Sequence, residues 1–291
     1  MRILITGCNG QLGLELHRQL LERINAKQPY DLWETDLHNL DITDQCQVLE
    51  LVQSQKPDAV INCAAYTNVD KCETDELNAF RVNAIGARNL AVAAYGIGAK
   101  MVQVSTDYVF DGTAKTPRRE YDPISPVSCY GKSKALGEQL VRETNPRHFI
   151  LRTAWLYGQG NNFVRTMLKL AREKDELNVV NDQIGSPTST VDLAACILNL
   201  IHTEHYGTYH ATCEGFCSWF EFAIKIFLLA GVRIPVNPIT SEELNRPAPR
   251  PQYSVLDNYM LQLIGMNNFR PWEEALEEYM RKEKVTGAGV A

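Results

Sequence analysis

The sequence predicts an α/β fold: a doubly wound parallel sheet carrying a smaller mixed α/β region. Three observations predict it. The chain opens on a short apolar run, residues 3–5, that ends in Gly7, Gly10 and Gly13 and passes into Leu12, Leu16, Leu20 and Leu21 at helical spacing. Short apolar segments then alternate with longer helical patterns through the first half of the chain. No internal repeat or low-complexity linker interrupts the 291 residues, a length that suits one large domain or two modest ones.

Taken in order, the glycine turn comes first. Strand, turn and helix make an anion site, because backbone amides and the positive helix end face the turn and glycines let a pyrophosphate approach. Asn9, Gln11 and Leu12 lie in that turn with Gly7, Gly10 and Gly13 and are read with them as cofactor-binding. Residues 31–36 form a second strand closing on Asp36, whose carboxylate can accept hydrogen bonds from an adenosine ribose and would repel a 2′-phosphate. That leans toward NADH over NADPH, and His38 is placed to soften the preference.

Thr43 or Asp44 can cap a helix running to Gln55. Residues 57–65 are a third strand whose small end, Cys63, Ala64 and Ala65, lets the chain pass close beneath a cofactor before Tyr66 begins a loop. A long amphipathic helix covers 79–96, a fourth strand enters 100–112, and a fifth spans 149–152. This is a Rossmann-type plan, with residues 1–155 as the dinucleotide-binding domain and 188–204 returning to it. Residues 156–187 and 205–285 form the substrate-binding region, with a cleft between the two as the natural ligand site, and 286–291 a flexible tail.

Composition narrows the partners. Hydrophobic content of 45% with 22% charged residues is that of a globular domain. A net charge of -6 gives no reason to expect nucleic acid or an acidic membrane surface. The eight cysteines are scattered without zinc-ligand spacing, so free thiols in a reducing cytosol are the simplest account. With no signal-like leader and no run of transmembrane length, the expected location is cytoplasmic.

The chemistry sits at Ser105, Thr106, Asp107 and in the pair Tyr130 and Lys134. Four residues apart on a helix, the pair shares one face. A lysine ammonium near a phenol favours the phenolate, which is expected to lower the Tyr130 pKa toward proton exchange, and a Thr106 hydroxyl could join it on a carbonyl oxygen.

The glycine spacing resembles that of the extended short-chain dehydrogenase/reductases. The runs Ser105-Thr106-Asp107-Tyr108-Val109-Phe110-Asp111-Gly112, Arg152-Thr153-Ala154-Trp155-Leu156-Tyr157-Gly158, Asn161-Asn162-Phe163 and Arg250-Pro251-Gln252-Tyr253-Ser254-Val255-Leu256, with Tyr130 and Lys134, are similar across the whole chain to the dTDP-4-dehydrorhamnose reductase family. That resemblance implies hydride transfer from NADPH or NADH to C4 of a dTDP-4-dehydro sugar, giving dTDP-L-rhamnose. It implies Tyr130 as proton donor, Lys134 on the nicotinamide ribose and Thr106 on the reacting oxygen. It also implies Asp41 and Ile42 at the adenine, Asn83 as a brace of the active-site strand, and Trp155 packed on the sugar. Thr67, Val69, Asp107, Tyr108 and Phe110 are expected to border the sugar, and Arg250 to bind the nucleotide's phosphates with its planar guanidinium.

Related dehydratases carry an acidic pair after the active-site threonine, because losing water needs an acid and a base. Here Tyr108 follows Asp107, so plain carbonyl reduction is favoured. Some relatives dimerise through a metal held by clustered glutamates. Glu15 can match one of them, but residues 190–192 do not supply the next, so no metal and a monomer or weak homodimer are expected. Two further readings stay open. One is a reductase of another 4-keto-6-deoxy sugar nucleotide, and the other is a non-catalytic NADP-binding regulatory subunit of methionine adenosyltransferase.

Overall fold

The computed structural model describes residues 1–285; the expected tail, 286–291, lies outside the described residues. Five parallel strands, β1 (Arg2–Thr6), β2 (Asp31–Thr35), β3 (Ala59–Asn62), β4 (Lys100–Thr106) and β5 (His148–Thr153), are joined by a sixth, Gly207–His210. Their spatial order is Gly207–His210, β5, β4, β3, β1, β2. The chain therefore leaves β1 in one direction to β2 and in the other to β3. The gap above β1 and β3 is the switch point at which such sheets bind ligands.

The apolar runs form strands because both sheet faces are covered. Ile3 and Ile5 point to one face, where they meet Leu12, Leu16 and Leu20 of helix α1 (Gln11–Asn25) and Leu193 and Ile197 of the helix Thr190–Leu200. Leu4 points to the other, against Val48 and Val52 of helix α2 (Gln45–Gln55) and Leu90 and Ala94 of the helix Ala87–Gly96. Asp44 caps α2 by accepting from the amides of Cys46 and Gln47.

The expected helix 79–96 is not one regular helix. A π-helical segment, Arg81–Gly86, is inserted ahead of Ala87–Gly96, and it carries Asn83. Such bulges are common near functional sites, where they turn one side chain out of register.

Among the described residues the second region is built from paired short strands and five helices, two of them of only four and five residues. Leu177–Val180 pairs with Val236–Ile239, Ile184–Gly185 with Cys217–Ser218, and Leu156–Tyr157 with Thr188–Ser189. The helix Trp219–Ala230 starts at a reciprocal cap between Ser218 and Glu221 and stops at Gly231 in the left-handed conformation. Its Phe222, with Tyr157 and Trp272, belongs to the same continuous core as Ile3 and Leu16. The region is thus packed onto one face of the sheet. One expected boundary needs correcting: Gly207–His210 extends the main sheet beside β5 and is not part of the substrate-binding region.

Candidate active site

The glycine turn is shaped by steric necessity. Gly7 has φ +69°, and a Cβ there would lie 2.6 Å from the Ala64 nitrogen. A Cβ on Gly13 would lie 2.4 Å from the Gly7 carbonyl oxygen and 2.6 Å from Cys8 Cα. Gly10 caps α1 with no side-chain hydrogen bond, so the first-turn amides are left open for an anion. Asp36 at the end of β2 accepts from the Asn9 amide at 3.0 Å and stiffens the turn. These features fit a dinucleotide's pyrophosphate and ribose. A cavity of about 630 Å³ runs from this turn over β1, β2 and β3 past Asp36, Asp41, Ile42, Ala64 and Tyr66.

A second cavity of about 540 Å³ shares Gly10, Cys63 and Ala65 with the first and continues over β4 and β5. It gathers Gln11, Leu12, Gly13, Thr67, Val69, Thr106, Asp107, Tyr108, Tyr130, Lys134 and Trp155. Thr106 and Asp107 arrive on the end of β4. Tyr130 and Lys134 arrive on the helix Cys129–Thr144, which Ser128 caps through the Gly131 amide. That helix sits tightly on the strand end, since a Cβ at Gly131 would meet the Tyr108 carbonyl oxygen at 2.2 Å.

Burial sets the protonation of this cluster. Lys134 is 4% exposed and donates to the Val104 carbonyl at 2.6 Å. Desolvation pushes its ammonium down to about 8, against the opposing pull of Glu138. The Asp107 carboxyl, 2% exposed, is pushed up to about 6 by burial, although it accepts from the Thr106 hydroxyl at 2.8 Å. Tyr130 is raised well above the ordinary phenol range, by burial first and the Asp107 charge second, while Thr106 acts in the opposite sense. The expected lowering of Tyr130 by Lys134 is therefore corrected: the ammonium donates to Val104, and burial and Asp107 raise the phenol instead. Neutral is the form that can donate a proton.

Beneath the cleft lies a paired polar layer. Glu138, one turn beyond Lys134, takes a bidentate ion pair from Arg152 at 2.7 Å and a hydrogen bond from Ser105. Thr6, Asn62 and Gln103 link β1, β3 and β4 through side-chain hydrogen bonds of 2.7 and 2.8 Å.

Four expected site residues lie elsewhere. His38 is exposed and off the cofactor groove, because the turn after β2 carries it to solvent. Asn83 is buried. It accepts from the Tyr66 amide at 2.8 Å and donates to the Tyr66 carbonyl and the Ser133 hydroxyl, so it braces the loop after β3 against the Tyr130 helix and touches no ligand space. Phe110 is buried under the guanidiniums of Arg118 and Arg152 and the ring of His210, away from the sugar cavity. Arg250 is held by Asp70 in a bidentate pair of 3.0 and 3.1 Å instead of standing free for phosphate.

Among the groove-lining residues that the sequence did not single out are Trp219 and Arg81. Trp219, the first residue of its helix, stacks on Trp155 with ring centroids 3.5 Å apart and planes 7° from parallel. Trp155 itself has φ +48°, costly for a bulky residue, and a Cβ on Gly185 would strike its ring at 2.4 Å. The other is Arg81 at the adenosine end, which donates to Thr43 at 3.0 Å. A tryptophan following a helix-capping serine was the only local signal for the first. Glu15 is engaged by Arg18 and Gln19.

The fold and the site together define a nicotinamide-dependent oxidoreductase. The chain belongs to the family described as RmlD substrate binding domain, whose model matches residues 1–285. It is similar to the spore coat polysaccharide biosynthesis protein SpsK of Bacillus subtilis, with 45% identity over 282 residues and 97% of each chain covered. It is also similar to the solved structure of a dTDP-4-dehydrorhamnose reductase from Clostridium acetobutylicum. There the TM-score is 0.95 and the identity 52%, over 98% of this chain and 100% of that one. A dTDP-4-dehydrorhamnose reductase from Bacillus anthracis, solved in complex with NADP, gives a TM-score of 0.92 and 48% identity over 97% and 99% of the two chains.

Proposed function

We propose that the protein reduces the C4 keto group of dTDP-4-dehydro-L-rhamnose with NADPH or NADH, giving dTDP-L-rhamnose. The observation that carries the reading is the half-buried Tyr130 phenol beside Thr106 and Lys134 in the second cavity, which joins the first at Gly10, Cys63 and Ala65. A nicotinamide coenzyme supplies the hydride. Gly7, Gly10 and Gly13 with the open end of α1 hold its pyrophosphate, Asp36 its adenosine ribose, and Asp41 and Ile42 its adenine. Cys63, Ala64, Ala65 and Tyr66 form the floor.

Tyr130 delivers the proton to the carbonyl oxygen, and Thr106 hydrogen-bonds the same oxygen. Lys134, whose side chain already sits against β4, binds the nicotinamide ribose hydroxyls. Thr67, Val69, Asp107, Tyr108 and the Trp155–Trp219 stack enclose the sugar. All eight cysteines are free, which suits a reducing cytoplasm, and the chain acts as a monomer or weak homodimer. Among the described residues no helix is long and apolar enough to cross a membrane.

The test is coenzyme oxidation with enzymatically prepared dTDP-4-dehydro-L-rhamnose, with product identification, for wild type and Tyr130→Phe. A positioned general acid contributes on the order of a hundredfold to ten-thousandfold, so kcat should fall by that much in the variant. A folded, coenzyme-binding wild type that leaves this substrate untouched would sink the assignment.

A further inference from the structure

Resting on the reductase reading, the geometry points to Asp70 and Arg250 as a latch that ties the turn 246–250 to the helix bearing Val69 on the cleft wall and sets the catalytic tyrosine through Tyr108. Both are positioning residues. Arg250 bonds both carboxylate oxygens of Asp70, and the two residues are 180 positions apart in the chain. Their side chains are only 21% and 25% exposed, which shields the pair from solvent. Asp70 also accepts from the Ala248 amide at 3.3 Å and faces Arg246 at 3.6 Å, so one carboxylate gathers the whole turn 246–250.

Each side of the latch is fixed to something stiff. Asp70 belongs to the short helix Val69–Cys72, capped by Asn68, and directly follows Val69 on the cavity wall. Arg250 is flanked by Pro249 and Pro251, whose locked φ angles leave the turn few alternatives. Pro251 packs so closely on Gly112 that a Cβ there would lie 2.3 Å from the Pro251 Cα, and the Tyr253 amide donates to the Gly112 carbonyl at 3.0 Å. The guanidinium thus has little freedom to swing away.

From the latch a direct path leads to the chemistry. The Arg250 guanidinium lies beside the Tyr108 hydroxyl. The Tyr108 ring meets the Tyr130 ring edge to face, with centroids 5.4 Å apart and planes at 77°. Releasing Arg250 removes the cation that faces Tyr108, and with it a support of the ring that packs on Tyr130. Misplacing a catalytic group by about 1 Å can cost on the order of a hundredfold in rate. An arginine reserved for a diphosphate would behave differently, since Asp70 would then only compete with the ligand.

The experiment compares Asp70→Asn, Arg250→Met and Arg250→Lys with wild type. It measures kcat, competitive inhibition by thymidine diphosphate, coenzyme affinity, and amide exchange in a peptide spanning 246–253. A latch predicts that Asp70→Asn and Arg250→Met lower kcat alike, by about tenfold or more. Coenzyme affinity and thymidine diphosphate inhibition should stay within about twofold, and exchange in 246–253 should quicken in both. Arg250→Lys, which keeps charge without the planar fork, should fall between.

If Arg250→Met weakens thymidine diphosphate inhibition strongly while Asp70→Asn tightens it and spares kcat, Arg250 is a phosphate ligand and the latch is overturned. Unchanged exchange in both variants overturns it as well. That readout needs no substrate, so it still decides the point if the wild type proves inactive on the dTDP sugar and the functional reading fails.

Discussion

Replacing Lys134 with methionine separates stability from activity in a way that the structure quantifies. The Lys134 ammonium is almost fully buried with one hydrogen bond, to Val104, while the nearby Glu138 is already committed to Arg152 and Ser105. Burial therefore wins, and the group falls from 10.5 to about 8. At about 1.4 kcal/mol for each pH unit between those values, the folded state is destabilised at neutral pH by about 3 kcal/mol.

The sign follows from proton counting. Between pH 8 and 10.5 the unfolded chain binds more protons at this site than the folded one, so wild-type stability rises with pH and the cost fades. Methionine fills similar space without a charge but loses the ammonium's hydrogen bond to the Val104 carbonyl, which Gln103 still serves at 2.9 Å, at about 1–3 kcal/mol. Lys134→Met should thus equal or exceed wild type by up to about 2 kcal/mol at about pH 7. It should lose at least about 2 kcal/mol of that relative standing by about pH 10. Urea unfolding of the coenzyme-free proteins at both pH values measures this. The reduction rate should drop on the order of a hundredfold throughout. Stabilities that run parallel from pH 7 to pH 10 would refute the burial argument.

Two other perturbations test the coenzyme groove. Gly13→Ala places a methyl within 2.4 Å of the Gly7 carbonyl oxygen, a backbone atom that cannot step aside, so the turn must open and coenzyme affinity should weaken at least about tenfold in a fluorescence titration. Wild-type affinity in that variant would show that the turn does not carry the pyrophosphate. Asp36→Ser removes a carboxylate that would repel a 2′-phosphate while keeping a hydroxyl for the ribose. The ratio of kcat/KM for NADPH over NADH should therefore rise about tenfold, and a ratio that stays put would remove Asp36 from coenzyme choice.

The sequence made the sheet legible because β1, β3 and β5 are buried on both faces and leave unbroken apolar runs. Gly207–His210 was misplaced for the complementary reason. It is an edge strand of four residues in which only Tyr209 is a large hydrophobic, so its pairing with β5 leaves no periodic trace. Tyr130, Lys134 and the glycine turn were legible because their chemistry is local, within one helical turn or one loop. The Trp155–Trp219 stack and the Asp70–Arg250 pair join residues 64 and 180 positions apart, and no local pattern encodes them. His38 follows Asp36 by two residues, and Phe110 belongs to the loop after Thr106 that is expected to border the sugar, so the sequence places both at the site. The chain direction after each strand end decides otherwise.

The sign of the Tyr130 shift needed the structure for a different reason. Helical spacing puts Lys134 on the same face as Tyr130 but does not say where its amino group points. Once that group is turned to Val104, the phenol is governed by burial and by Asp107, and both keep the proton on. A carbonyl receiving hydride needs a neutral acid beside it, and a phenolate at that position would have nothing to give. The same burial that destabilises Lys134 and raises Asp107 also favours the proton on Tyr130, the form that the proposed proton donor needs.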